Sequence, residues 1–259
     1  MIRLLSLLSV AALCSAFIFA PAKPKFRPPG TVEFTEGLFF DEAEISVFNW
    51  LEYQSWLERT HGKDAPEYLA SKPDTSSYNH FFAPSAKHYF SHPTYRNYPV
   101  VCITYEQATD FCTWRTARVR EMLLIRKKGR NSEETPCITY RLPTKEEWEM
   151  AAASPINKKS IKKAPKIYHD LEMPFNLKGQ YAQEPAGKFF TAPVNQGVRN
   201  EYGMQNMFGN VAEMINQNGV AKGGSWNHTI DESGLTQAIN YTEASAWLGF
   251  RCVCDVSML

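Results

Sequence analysis

Apolar residues recur at helical spacing in two stretches of the chain and alternate or run together in several shorter ones. From Ser46 to Thr60 the spacing predicts a helix whose apolar face is Phe48, Leu51, Tyr53 and Trp56. A second helix begins at Tyr105, extends to Arg120 and buries Ala108, Phe111 and Val119. A third falls within Arg141 to Ala153, where Thr144 is a good N-cap and Glu147, three residues on, completes a capping box. Val32-Glu33-Phe34 and Leu38 to Ile45 read as short strands, and Pro99 to Thr104 as a strand of the buried type. Pro73 to Tyr98 is rich in Pro, Ser, Tyr and His without period and reads as an ordered loop held by aromatics, and 164–194 as turns and short strands.

At 259 residues the chain is long enough for one large domain or two small ones. Neither an internal repeat nor an interdomain linker breaks it, so a single irregular α+β domain over 31–259 is the simplest account. Before it, Met1 to Ala20 carry a lone Arg3 and a Leu/Ala/Val/Phe-rich run, and Ala20-Pro21-Ala22 offers a small-x-small cleavage site. Residues 1–22 therefore read as a secretory signal peptide, not a membrane anchor, and 23–30 as an extended Pro/Lys-rich leader. Cys14 invites lipidation, but Leu13 stands where a lipoprotein signal carries a small residue.

The net charge of +1 gives no reason to expect nucleic acid as a partner. Basic residues cluster locally: seven Arg/Lys from Arg115 to Arg130, and a second run from Lys158 to Lys166. These are either solvated faces or docking surfaces for an acidic partner or a membrane surface. Export places the mature protein where disulfides persist, and five cysteines remain: Cys102, Cys112, Cys137, Cys252 and Cys254. His80, His88 and His92 suggest zinc, but Pro84 and Pro93 interrupt the helix an i, i+4 pair needs. Two Asn-x-Thr triplets, at Asn227 and Asn240, matter only in a glycosylating host.

The stretch around which the rest is organised is Tyr202 to Met214, Tyr-Gly-Met-Gln-Asn-Met-Phe-Gly-Asn-Val-Ala-Glu-Met. Gly203 and Gly209, set among residues that would otherwise pack, suit a backbone passing through turns and close approaches. Asn206, Gly209, Val211 and Glu213 offer an amide oxygen, two carbonyls and a carboxylate, the all-oxygen set that calcium takes. The plainer alternative is a buried Asn-Gly turn in which Glu213 caps neighbouring amides.

Three further blocks accompany it: Tyr140 to Glu149 (YRLPTKEEWE), Lys222-Gly223-Gly224-Ser225-Trp226 and Leu248-Gly249-Phe250-Arg251-Cys252. Together, in this order, the blocks resemble the formylglycine-generating enzyme (sulfatase-modifying factor) family, from about Thr31 to Val256. The resemblance implies an irregular fold akin to C-type lectin domains, a structural calcium on Asn206, Gly209, Val211 and Glu213, and a disulfide between Cys112 and Cys252. Cys102 and Cys254 are then candidates for a second bridge, with Cys137 left over.

The enzymes of that family oxidise a substrate cysteine with copper held by two thiolates, which lie between the Gly-Gly-Ser and Gly-Phe-Arg blocks. Here that interval, Trp226 to Leu248, has no cysteine, and Asn227, His228 or Ser233 are no substitute for the soft ligands Cu(I) requires. Ala212 and Met214 replace aromatics that flank the Glu in the enzymes, and Ala186 stands where a second calcium site has its Asp, leaving Asn176 as one oxygen donor. His228 has no evident orienting partner and reads as a surface or hydrogen-bonding residue. The opening Phe39 to Ser46, Trp50 to Tyr53 and Tyr95 to Val101 look most like envelope-associated members in Bacteroidetes, including gliding-motility and type IX secretion components. The reading is thus a catalytically inactive, periplasmic or outer-membrane-associated scaffold that binds other envelope proteins; the alternatives are an oxidoreductase with an altered metal site and a small-ligand or glycan binder.

Overall fold

The last strand of the chain is an inner strand of its first sheet. In a computed structural model, which describes residues 26–76, 86–127, 135–163, 174–179 and 191–258, this sheet contains β1 (Thr31–Thr35), β2 (Leu38–Asp41), β3 (Pro136–Arg141) and β8 (Val253–Met258). Their order is β1-β2-β8-β3, antiparallel throughout, so β8 ties the start of the domain to its middle. A second sheet orders β6 (Ile239–Asn240), β5 (Val220–Lys222), β4 (Ala212–Met214) and β7 (Leu248–Gly249), with β4 and β7 parallel.

The helices are α1 (Val47–His61), α2 (Pro66–Ala70), α3 (Ala86–Ser91), α4 (Tyr105–Lys127), α5 (Lys145–Ala152) and α6 (Lys158–Ile161). Among the described residues strands and helices come in runs, two strands and four helices before β3 and five strands after α6, which is the expected α+β class. Thr144 caps α5 with Glu147 returning the bond, as its sequence requires, and Ser46 and Asn49 form a second capping box on α1. The main core gathers Trp50, Tyr53, Phe111, Ile138, Leu142 and Phe250, with the indole of Trp50 stacked on Phe111.

Several expectations change. In α1 the buried face is Val47, Trp50, Tyr53, Gln54 and Leu57, whereas Phe48 is 45% exposed and Leu51 and Trp56 are only half-buried. The helix carries apolar residues on two sides, and the sequence pattern picked out mainly the outer one. Pro99 to Thr104 is buried but not a strand: Val100 donates to the Ile45 carbonyl, Cys102 donates to that of Ser245, and Cys102 has a left-handed φ of 59°. The strand expected over Leu38 to Ile45 ends at Asp41, and the Tyr105 helix runs beyond Arg120 to Lys127, with Val119 half-buried. Within the expected aromatic loop, α3 and a short 3-10 turn at Pro93–Tyr95 form, lined by Tyr89, Tyr95 and Tyr98.

The signal segment 1–22, Cys14, His80, Ala186 and the end of the second basic run lie outside the described residues. His88 is exposed on α3, and His92 caps the following turn through Nδ1. No helix among the described residues is long and apolar enough to cross a membrane.

Candidate functional site

The stretch from Tyr202 to Met214 does run through turns. Gly203 and Gly209 have positive φ, and so do Asn206 (52°) and Asn210 (61°), the residue type other than glycine that most readily tolerates this region. At Gly209 a Cβ would lie 2.7 Å from the Asn176 carbonyl oxygen, so the close approach demands glycine independently of its φ.

The blocks singled out in the sequence converge on one buried ion pair. Arg251 is fully buried, and its Nε and Nη2 both donate to the Glu213 carboxylate, Nε to Oε2 at 2.7 Å. The Trp148 indole donates to the same Oε2 at 2.8 Å, and Arg251 Nη2 also donates to the Gln205 carbonyl at 2.7 Å. Beside it, Lys222, also fully buried, donates to Glu149 at 2.7 Å. Trp148 and Glu149 come from α5, Glu213 from β4, Lys222 from β5, and Arg251 from the segment just before β8. Burial alone disfavours a charged Arg251, but Glu213, then Glu44 and Asp41, outweigh it and hold its pKa above the usual value.

A second carboxylate sits next to this pair. Glu44 is buried and accepts from Asn206 Nδ2 (3.0 Å) and Asn210 Nδ2 (2.8 Å). Desolvation, reinforced by the Glu213 charge and opposed by Arg251, pushes its pKa up to about 7. A third, Asp41, takes Arg115 Nη1 at 2.8 Å and the Cys252 backbone N–H at 2.8 Å on the same oxygen.

These placements test the fit of a calcium ion. Both oxygens of Glu213 already accept from a guanidinium and an indole, so its countercharge is Arg251. The Asn206 side chain turns its nitrogen to Glu44 and the Val194 carbonyl, while its oxygen lies against Gly197. Asn206 and Glu213 thus each have a partner within the fold, Glu44 and Arg251, and a cation on Asn206, Gly209, Val211 and Glu213 would compete with Arg251 for the carboxylate. No group of three His, Cys, Asp or Glu side chains suited to a metal ion occurs among the described residues. Asn176 donates to Asn210 Oδ1. Ala212 and Met214 are fully buried in the core with Leu248 and Phe250.

Cys112 and Cys252 are both buried, with their sulfurs 3.5 Å apart. Cys254 shares their cluster, whereas Cys102 packs in another with Val101, Val211 and Trp226. Cys137 lies on β3 with Arg120 Nη2 3.9 Å from its sulfur. His228 has a partner the sequence hid: its Nδ1 is 2.6 Å from the hydroxyl of fully buried Ser225, and its ring meets Trp247 edge-on. Burial holds the imidazole below its usual pKa, with Lys178 adding to this and Glu232 opposing it.

Clefts open at the surface around these networks. One of about 800 Å³ lies beside the central stretch, walled by Tyr202, Gly203 and Gln205 and, across from them, Asn157, Lys159 and Arg199. Another of about 510 Å³ runs between α1 and α4. Sequence reading missed both, together with Glu44, Asp41 and Lys222; for Lys222 a lone charge after Val220-Ala221 was the available signal, whereas Asp41 and Glu44 sit in an acidic run that gives none.

Solved structures with a similar fold include the following three. CarF aligns with a TM-score of 0.50 at 18% identity over 85% of this chain and 87% of that one. PvdO from Pseudomonas aeruginosa gives 0.48 at 18% over 84% and 80%, and Treponema denticola variable protein 1 gives 0.48 at 17% over 84% of each. No curated protein sequence matches the chain. The chain does match, over residues 15–256, the sulfatase-modifying factor enzyme 1-like domain, and it belongs to that family.

Proposed function

We propose that this chain is a catalytically inert member of its family, exported to the bacterial cell envelope, where it works as a scaffold or protein-interaction module. The observation that carries this reading is the Glu213–Arg251–Trp148 network. Polar groups of the motif blocks are bonded to one another inside the fold, where they position backbone and not substrate. The sequence adds that Trp226 to Leu248 contains no thiolate to hold copper. A fold kept while reactive groups are replaced is what a module selected for its shape would show. The opening residues favour an outer-membrane, gliding or type IX secretion setting within the envelope.

The test is capture from native membranes with the purified chain as bait. A partner retained at stoichiometric level supports the reading, and a chain that retains none overturns it. A second reading, a binder of small polar ligands or glycans, is favoured by the cleft of about 800 Å³, where the Tyr202 ring is set among amides and cations. Stoichiometric binding of a free glycan, with no protein retained, would select it.

A further inference from the structure

The groove between α1 and α4 combines features that call for one kind of occupant. Its floor is aromatic and aliphatic: Phe48 and Leu51 from α1, Trp56 one turn beyond them, and Trp114 from α4. The rim is mainly cationic, with Arg59, Arg96 and Arg118 against a single carboxylate, Glu52. Phe48 is held in place by its backbone N–H, which donates to the Arg96 carbonyl at 2.9 Å, so the exposed ring and a rim arginine are tied together. Trp and Arg around an apolar pocket are the residue types that dominate binding energy at protein interfaces.

A second observation is independent of this composition. Trp114 Nε1 and Arg118 Nε, one helical turn apart on α4, are buried N–H donors without a hydrogen-bond partner among the described residues. Each such donor leaves the cost of its desolvation unrecovered. Both need an acceptor, and both belong to side chains of this groove. Arg118 lies over the Trp56 ring at 4.6 Å and pairs with Glu121 at 2.6 Å, with its side chain 33% exposed and that of Glu121 55% exposed. An exposed pair of this kind is weak, so an incoming carboxylate can displace Glu121 and turn the guanidinium to open both donors.

We propose that this groove docks an acidic peptide segment of a partner protein, with an aspartate or glutamate seated at Trp114 and Arg118 and a neighbouring apolar side chain on Phe48 and Leu51. The proposal rests on the interaction-module reading and names the partner's chemistry. Charge complementarity selects the acid: three guanidiniums line the groove against Glu52 and the exposed Glu121. The aromatic floor selects the apolar neighbour.

The experiment is fluorescence anisotropy of the purified chain with a labelled peptide alternating Asp/Glu with Phe/Leu, beside the same peptide carrying Asn/Gln. The acidic peptide is expected to bind at least about tenfold more tightly than the amide peptide, because a charged acceptor roughly doubles hydrogen-bond strength and meets the arginine rim. Phe48→Ser and the double substitution Arg59→Glu/Arg96→Glu, all at exposed positions, should each weaken it by at least about tenfold. Glu121→Gln should bind as well or better, which a merely structural ion pair would not produce. Equal binding of both peptides, indifference to these substitutions, preference for phosphatidylglycerol vesicles over peptide, or self-association through this face would overturn the proposal. Membrane capture separates the two levels: a partner still retained by the Phe48→Ser chain defeats the groove alone, and no partner for the unaltered chain defeats the module reading.

Discussion

Arg251 and Glu213 meet at two points, Nε and Nη2 on the two carboxylate oxygens, with 0% and 1% of their side chains exposed. Burying two charges costs several kcal/mol per ion before attraction repays it, so the pair is not in itself a source of stability. It is a commitment: with one partner removed, the other is a naked charge in the core. Arg251→Met and Glu213→Gln should each destabilise by about 3–5 kcal/mol in urea unfolding. The double variant should lose clearly less than the sum, since the stranded charge is then absent. Additive losses would show that the two side chains do not depend on each other.

Glu44 should make stability depend on pH. Its folded pKa is about 7, above the unfolded carboxyl value, so the folded chain holds the extra proton across the interval between them. Stability is therefore expected to fall as pH rises from about 4.5 to 7, by on the order of 3 kcal/mol for this group. Glu44→Gln should flatten that slope in melts taken across the window. A slope unchanged by the substitution would assign the dependence elsewhere.

Cys112 and Cys252 are 140 positions apart in sequence and 3.5 Å apart in space. If they close on export, as the family resemblance implies, the bond should contribute about 3–5 kcal/mol by constraining the unfolded chain. Peptide mapping of the non-reduced protein should find them linked, and reduction should lower the urea midpoint. Two alkylatable thiols at these positions in exported protein would contradict it.

Calcium and Arg251 are competing partners for Glu213. With the guanidinium in place, chelation should leave the melting temperature unchanged to within about 2 °C, well below the shift a structural ion held at 100 times its Kd would give. A large chelator-dependent loss, cancelled in Asn206→Ala, would restore Asn206, Gly209, Val211 and Glu213 as ligands.

The elements legible in the sequence were those specified by local chemistry. Thr144 and Glu147 announced the start of a helix, and the glycines and asparagines of 203–210 announced a backbone outside regular structure. What was not legible depended on long-range pairing. Pro99 to Thr104 has the composition of a strand, but its backbone bonds go to Ile45 and Ser245 singly and not to a ladder. In α1 both sides are apolar, and tertiary partners, Phe111, Phe250 and the Ser71 carbonyl, decide that Trp50 and not Phe48 faces the core. At the site, residue type alone does not say which cation the Glu213 carboxylate meets. The Arg251 that meets it is 38 residues away, and the Ser225 hydroxyl that engages His228 stands in the sequence only as part of the Lys222 to Trp226 block.

In the proposed role the chain acts by contact and not by oxidising thiols. The measurement that bears on it most directly is oxygen consumption by the purified, copper-supplemented chain in the presence of a cysteine-containing peptide. No consumption above that of free copper is expected. Sustained turnover of the peptide by a protein-bound copper or iron centre would contradict it.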